Sequence, residues 1–348
     1  MILGNWGIVL SKRAGFNRDL EAREIAMRIV AIIAGAFAAA ALSWQVQAQS
    51  WPQRPVKIIV PYAAGGPSDS MARLTAQRLA EAFGQPFIVE NQPTGGGVVA
   101  GELVIRAPAD GHTLYWVTPG QVTILPAISK LSYDPVKNFQ PITAVAENRF
   151  GLVVNSNSLP VSTIGGFVDH VRMQPGRISY AHAGAGGITH LAMALFARRL
   201  GLQMNGVAYK GIAPAFADVL GGHVPTMFAS LGDAVQQQKG GKIKLLAVST
   251  RSRDGAVPDV PAVSEAGLSG FHIVSWNGLV ARSGTPKSIV ERIASEVARA
   301  AKTPAFATRL TGMGFEPIGN SPDEFAAVIA AEIPMWMEAV KGSAVGLQ

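Results

Sequence analysis

Two glycine-rich turns carry the clearest chemistry in this sequence. Ala64-Gly65-Gly66-Pro67-Ser68 and Gly184-Ala185-Gly186-Gly187-Ile188-Thr189 each fall between a strand-like run and a helix-like run. At such a junction the first backbone N–H groups of the helix have no carbonyl partner, and the helix dipole adds partial positive charge. Together they favour an anion. Glycine lets a ligand approach the main chain, and Ser68 and Thr189 add hydroxyl donors. One reading is a carboxylate clamp with one jaw in each of two domains. The other is a pair of ordinary tight strand-to-helix turns, and spacing alone leaves both open. Asp69, at a helix start, suits the dipole and reads chiefly as a brace for its loop. His190, beside Thr189 at the other helix start, is the histidine best placed to take part.

Other chemistries find little support. Gly95-Gly96-Gly97-Val98-Val99-Ala100 matches G-x-G-x-x-A, but Pro93-Thr94 separates it from the preceding strand and no acidic residue stands about 20 residues on. Gly241-Lys242-Ile243 lacks the hydroxyl residue of a phosphate loop. His182 and His190 stand apart from the isolated His112, His170, His223 and His272, and H-E-x-x-H and G-x-S-x-G are both missing. With no cysteine, thiolate chemistry and disulfides are excluded. The sequence therefore predicts neither metal nor cofactor, and no enzyme activity.

The elements that must position these turns read as α/β. Val56 to Tyr62, Phe87 to Glu90 and His112 to Thr118 are strand-like, with helical runs beginning at Pro67 and Gly101 between them. That βαβαβ order argues for a parallel sheet covered by helices. Ile142 to Ala146 and Phe150 to Asn155 read as two extended pieces, and the alternation then restarts through Ser249. Phe271 to Val280 is extended, and the remainder is helical: Pro286 to Lys302, Pro304 to Met313 and Pro322 to Val340. The chain of 348 residues suits two domains. We expect domain one from 49–149 plus 275–348 and domain two from 150–274, joined by two crossing strands that form a hinge.

Met27-Arg28 precedes an apolar run, Ile29 to Leu42, and Val46-Gln47-Ala48 ends in small residues. This is the pattern of a secretory signal peptide spanning 1–48, with Met27 as the expected start. The formal charge is +7, and the chain stays mildly basic without that segment. Such a balance favours small anions, while the scattered Lys and Arg give no nucleic-acid surface.

The turns also belong to an ordered series of motifs. Arg54-Pro55-Val56-Lys57-Ile58-Ile59-Val60-Pro61-Tyr62-Ala63-Ala64-Gly65-Gly66 is followed by Asp69, Glu90-Asn91-Gln92-Pro93, Ala109-Asp110-Gly111-His112-Thr113-Leu114 and Tyr133-Asp134-Pro135-Val136-Lys137-Asn138-Phe139. Thr189-His190-Leu191-Ala192, Tyr209-Lys210-Gly211, Leu220-Gly221-Gly222, Pro258-Asp259-Val260-Pro261 and Glu265-Ala266-Gly267 come later. The set resembles the Bug-type receptors, the periplasmic substrate-binding subunits of tripartite tricarboxylate transporters, across residues 51–340. The resemblance implies a two-domain Venus-flytrap fold, a small carboxylate ligand, integral-membrane permease subunits as partners and a monomeric receptor. Carried over, it implies ligand contacts from Tyr62, Ala64, Gly65, Gly66, Pro67, Ser68 and Asp69, and from Gly184, Gly186, Gly187, Ile188, Thr189 and His190. Thr118, Gly120, Gln121, Tyr209 and Ser230 would line the rest of the cleft. Relatives often carry Asp where this chain has Pro225 and Ala229. A receptor feeding a sensor kinase shares the fold, and a periplasmic hydrolase is a further alternative.

Overall fold

A computed structural model of the chain describes residues 51–341 together with Met27. The chain divides into two units, residues 1–53 and 54–348. The signal peptide read across 1–48 lies outside the described residues, Met27 excepted.

The second unit opens with β1 (Val56–Val60), α1 (Pro67–Phe83), β2 (Phe87–Asn91), α2 (Val98–Arg106) and β3 (Thr113–Val117). β1 pairs in parallel with both β2 and β3, as the βαβαβ order predicts. Parallel neighbours require crossovers, and the crossover helices bury an apolar face on the sheet. In α1, Met71, Ala72, Thr75, Ala76 and Leu79 form that face at spacings of three and four. Gly66 caps the helix, Pro67 occupies its first turn, and Gly84 ends it in the left-handed conformation with its N–H on the Ala80 carbonyl.

A π-helical turn (Gly120–Ile124), α3 (Leu125–Ile128) and α4 (Pro135–Asn138) lead into β4 (Phe139–Asn155). The two extended pieces read from the sequence are thus one strand of 17 residues. Glu147-Asn148-Arg149 breaks the apolar pattern but not the pairing. Through Arg149, β4 pairs antiparallel with β9 (Val274–Arg282); from Phe150 onward its partners are β7 and β8. One strand therefore leaves the first sheet and enters the second between two consecutive residues.

The second sheet grows from α5 (Ile164–Met173), β5 (Ser179–His182), α6 (Ile188–Leu200), β6 (Asn205–Ala208), α7 (Ile212–Leu220), β7 (Thr226–Ser230), α8 (Leu231–Gln238) and β8 (Ile243–Val248). β5 runs parallel to β6 and β7, while β4 is antiparallel to β7 and β8. The chain returns to the first sheet as β9, antiparallel to β3 and β4. Buried Ser249 ties the outgoing and returning segments. Its hydroxyl lies 3.0 Å from the Phe150 carbonyl and 2.6 Å from that of Ile273, and the Ile273 N–H donates to the Ser249 carbonyl.

The chain ends in α9 (Lys287–Ala301), α10 (Pro304–Gly312), β10 (Glu316–Pro317), paired with β4, and α11 (Pro322–Lys341). Ile59, Tyr115, Val117, Trp276, Val280 and Phe325 lie in the core of the first sheet. In the core of the second, Phe228 stacks on Phe271 and Phe196 meets both edge-on. α11 serves both. Phe325 and Ile329 lie in the first core, and Met335, Trp336 and Val340 in the second. A helix of 20 residues is about 30 Å long, and its apolar stripe continues past the point where the first sheet is covered. Among the described residues, no helix is long and apolar enough to cross a membrane.

Candidate functional site

A cavity of about 640 Å³ is bordered by elements of both sheets. The first glycine-rich turn contributes Ala64, Gly66, Pro67 and Ser68, with Tyr62 just before it, and the second contributes Ile188 and Thr189, with Ala183 just before it. Asn148 and Phe150 of β4, with Ser275 and Asn277 of β9, line it where the strands cross. Thr118, Ile212 and Phe315 complete the wall. A depression of about 700 Å³ between α9 and the start of α11 is larger, but it contains none of the predicted site residues.

In the first turn, Gly65 adopts φ +86°, a conformation that residues with a Cβ rarely take. Its N–H donates to Asp69 Oδ2 at 2.9 Å. The same carboxylate receives Arg73 Nε at 2.9 Å and Asn91 Nδ2 at 2.8 Å. Asp69 is 2% exposed and stands behind the cavity wall. Burial alone would raise its pKa, but the hydrogen bonds from Arg73, Gly65 and Asn91 outweigh burial and hold it below the ordinary carboxylate value. The first helical hydrogen bond runs from Ser70 N–H to the Gly66 carbonyl. The N–H groups of Ser68 and Asp69, in the first turn of α1, precede it and have no intrahelical partner.

The second turn repeats this logic with different acceptors. Ala183 N–H donates to Thr189 Oγ1 at 3.0 Å, Gly184 N–H to His182 Nδ1 at 3.3 Å, and Gly186 N–H to His190 Nδ1 at 3.1 Å. Gly187 N–H turns back to the Gly184 carbonyl. Helical bonding starts with Leu191 N–H on the Gly187 carbonyl, so the N–H groups of Ile188, Thr189 and His190 precede it. The family resemblance implies ligand contacts from Gly65, Gly184 and Gly186 as well as from the helix starts. In the structure the N–H groups of Gly65, Gly184 and Gly186 are engaged internally, because a turn must satisfy its own polar groups to keep its shape. The helix-start donors belong to the residues that follow. The Thr189 hydroxyl accepts from Ala183 and keeps its proton to donate.

The two imidazoles lie ring on ring, with centroids 4.2 Å apart. Burial, then the neighbouring His182, pushes His190 down to about 4. Burial likewise lowers His182. Both are therefore neutral at ordinary pH, as a ring nitrogen must be to accept an N–H.

The remaining predicted residues divide between wall and support. Tyr62 and Thr118 line the cavity, with the Tyr62 hydroxyl 2.8 Å from Thr118 Oγ1. Gln121 stands behind them. Its Oε1 accepts the Thr118 N–H and hydroxyl, and its Nε2 donates to the Tyr62 hydroxyl. Gly120 N–H lies 3.3 Å from Thr118 Oγ1. The Tyr209 hydroxyl donates to Asp218 Oδ2 at 2.6 Å, and Tyr209 is not part of the wall. Ser230 braces Asn148, its hydroxyl 3.0 Å from Asn148 Oδ1. Sequence reasoning missed Asn148, Ser275 and Asn277. Their signal is a period of two: Ser275 and Asn277 flank buried Trp276, so they share the opposite face of β9. The assembled wall is suited to an anion with an apolar body. It offers amides, hydroxyls and carboxamides beside Phe150, Ile188, Ile212 and Phe315. Among the described residues, no group of three or more His, Asp and Glu is placed to hold a metal ion.

Comparison with known proteins gives a consistent result. A family model described as the tripartite tricarboxylate transporter family receptor matches residues 71–344. The protein of the tcbD-tcbE intergenic region in Pseudomonas sp. is 32% identical, over 84% of this chain and 87% of that protein. A Rhodopseudomonas palustris protein solved with adipate is 33% identical with a TM-score of 0.67, over 84% of this chain and 98% of that one. MatC from Rhodopseudomonas palustris, solved with bound malate, is 34% identical with a TM-score of 0.64, over 83% of this chain and 100% of that one.

Proposed function

The chain belongs to the tripartite tricarboxylate transporter receptor family, and we propose that it captures a small carboxylate in the cavity between its two sheets. The observation that carries this reading is the sharing of one cavity by two helix starts. α1 follows a strand of the first sheet and α6 a strand of the second, and both open with amides that lack helical partners. An acid held by both favours the closed arrangement of two lobes, 49–149 with 275–348 and 150–274, because only differential contact shifts such an equilibrium. α11, packed on both cores, and the crossing of β4 limit the motion to a hinge. The closed monomer then docks on the membrane subunits of the transporter and delivers the acid unchanged. Export to the periplasm follows from removal of residues 1–48. That two relatives of similar length were solved with adipate and malate supports a carboxylate as cargo.

A thermal-shift panel of mono-, di- and tricarboxylates, followed by calorimetry, tests the reading. A bound acid raises the melting temperature in proportion to the logarithm of its concentration over Kd. A flat response to the whole panel overturns it. Chromatographic detection of product from a bound acid would instead point to an enzyme.

A further inference from the structure

We propose that Asn277 is a specificity-determining residue that presents a fixed hydrogen-bond donor to the ligand. It makes the site favour an acid whose second polar group is an acceptor and reject the ammonium-bearing counterpart. The inference rests on the carboxylate reading above. Asn277 sits on β9 in the cavity wall and is 2% exposed. Its amide orientation is settled by chemistry. The indole N–H of Trp116, 3.1 Å from Oδ1, can only donate, so the atom it meets is the carbonyl oxygen. The Ser68 hydroxyl donates to the same oxygen at 2.8 Å. Two donors fill the two lone pairs of that oxygen. The NH2 group has no hydrogen bond among the described residues and is what the side chain has left to offer the cavity.

An NH2 group that faces the cavity takes its hydrogen bonds from whatever occupies that cavity, and an acceptor on the ligand satisfies it. A carboxylate, oxo or hydroxyl oxygen meets that need. An ammonium has protons only, so it would face the amide donor to donor and lose its own hydration. Trp116 is fully buried, so it acts on the ligand through Asn277 alone. The Ser68 hydroxyl, committed to the same oxygen, couples this selector to the first turn of α1.

Isosteric pairs test the assignment by calorimetry at pH 7.5: malate against aspartate, 2-hydroxyglutarate against glutamate, and lactate against alanine. The hydroxy acid of the best-fitting pair is expected to bind at least tenfold more tightly. Asn277→Asp keeps an oxygen for Trp116 and Ser68 and replaces the donor with an acceptor. It should weaken both members of each pair but move the ratio at least tenfold toward the amino acid, and a cooperative melt of the free protein shows that the variant folds. Trp116→Phe releases the amide to rotate and should shrink the ratio while the cavity wall stays the same. Equal affinities within each pair, or a folded Asn277→Asp protein with an unaltered ratio, overturn the role of Asn277. If no member of any pair and no acid of the wider panel binds, the carboxylate reading itself fails.

Discussion

Gly66→Asp should separate stability from binding. Gly66 is the N-cap of α1 at φ −78°, ψ 170°, a conformation open to any residue. A Cβ there meets only the Ala63 carbonyl oxygen, at 3.7 Å. Aspartate is a preferred N-cap, so its carboxylate can accept from the N–H of Ser68 or Asp69. Those are the amides assigned to the ligand. Helix stability should hold or rise by a few tenths of a kcal/mol. Binding should collapse for two reasons. A charge-assisted hydrogen bond contributes about 1.5–3 kcal/mol, and at least one is displaced. A ligand carboxylate about 4 Å from the new charge also meets roughly 4 kcal/mol of repulsion at an effective dielectric constant of about 20. Even with half of that repulsion relieved by movement, about 4 kcal/mol remains, which is roughly a thousandfold in Kd. Gly66→Ser caps without charge and should lose only about tenfold. Calorimetry and thermal melts on the three proteins give both readouts. A folded Gly66→Asp protein with wild-type affinity would refute the clamp, and a fall of several degrees in melting temperature would refute the steric argument.

Asp69→Asn keeps the shape but loses the charge that receives Gly65, Arg73 and Asn91. It should lower stability by about 2 kcal/mol and weaken carboxylate binding, both visible in melts with and without ligand. The folded value of His190, about 4, lies below the unfolded value near 6.5. Its contribution is therefore complete above about pH 6.5 and drains as pH falls toward 4. The amount is on the order of 3 kcal/mol. His272, pushed to about 4 by burial and then Arg251, acts in the same direction. His190→Gln should remove part of the acid loss in melting temperature, and an identical pH profile would argue against the assignment. Glu332 has the opposite sign. Burial raises it to about 7 against the opposing hydrogen bonds of Trp276, Thr123 and Trp336. Its contribution is complete below about pH 4.5 and is lost as pH rises through 7. Tryptophan fluorescence should titrate near pH 7 in the wild-type protein and lose that step in Glu332→Gln.

Much of the fold was legible because its signals are local. Period-two and period-3.6 patterns, with Pro67 and Gly84 as punctuation, mark β1 and α1 from the sequence alone. The union of two extended pieces into β4 was not legible, since Glu147 to Arg149 look like a loop until partners on β9 are known. α11 likewise looks like one helix for one sheet, and only packing reveals that Trp336 and Phe325 lie in different cores.

The sequence by itself marked the start of α1 and, to within two residues, that of α6, and a helix start carries its unpaired amides wherever it goes. It also marked the two turns, because Gly65 and Gly186 occupy backbone conformations open chiefly to glycine. Tertiary structure alone decided how the long-range donor of the cavity wall is oriented. Asp69, His182 and His190 engage glycine amides within four residues of themselves, whereas Trp116 crosses from β3 to orient Asn277 on β9. The Trp116–Asn277 bond is settled by distance and angle between groups 161 residues apart in the chain, and a list of residues does not contain that distance.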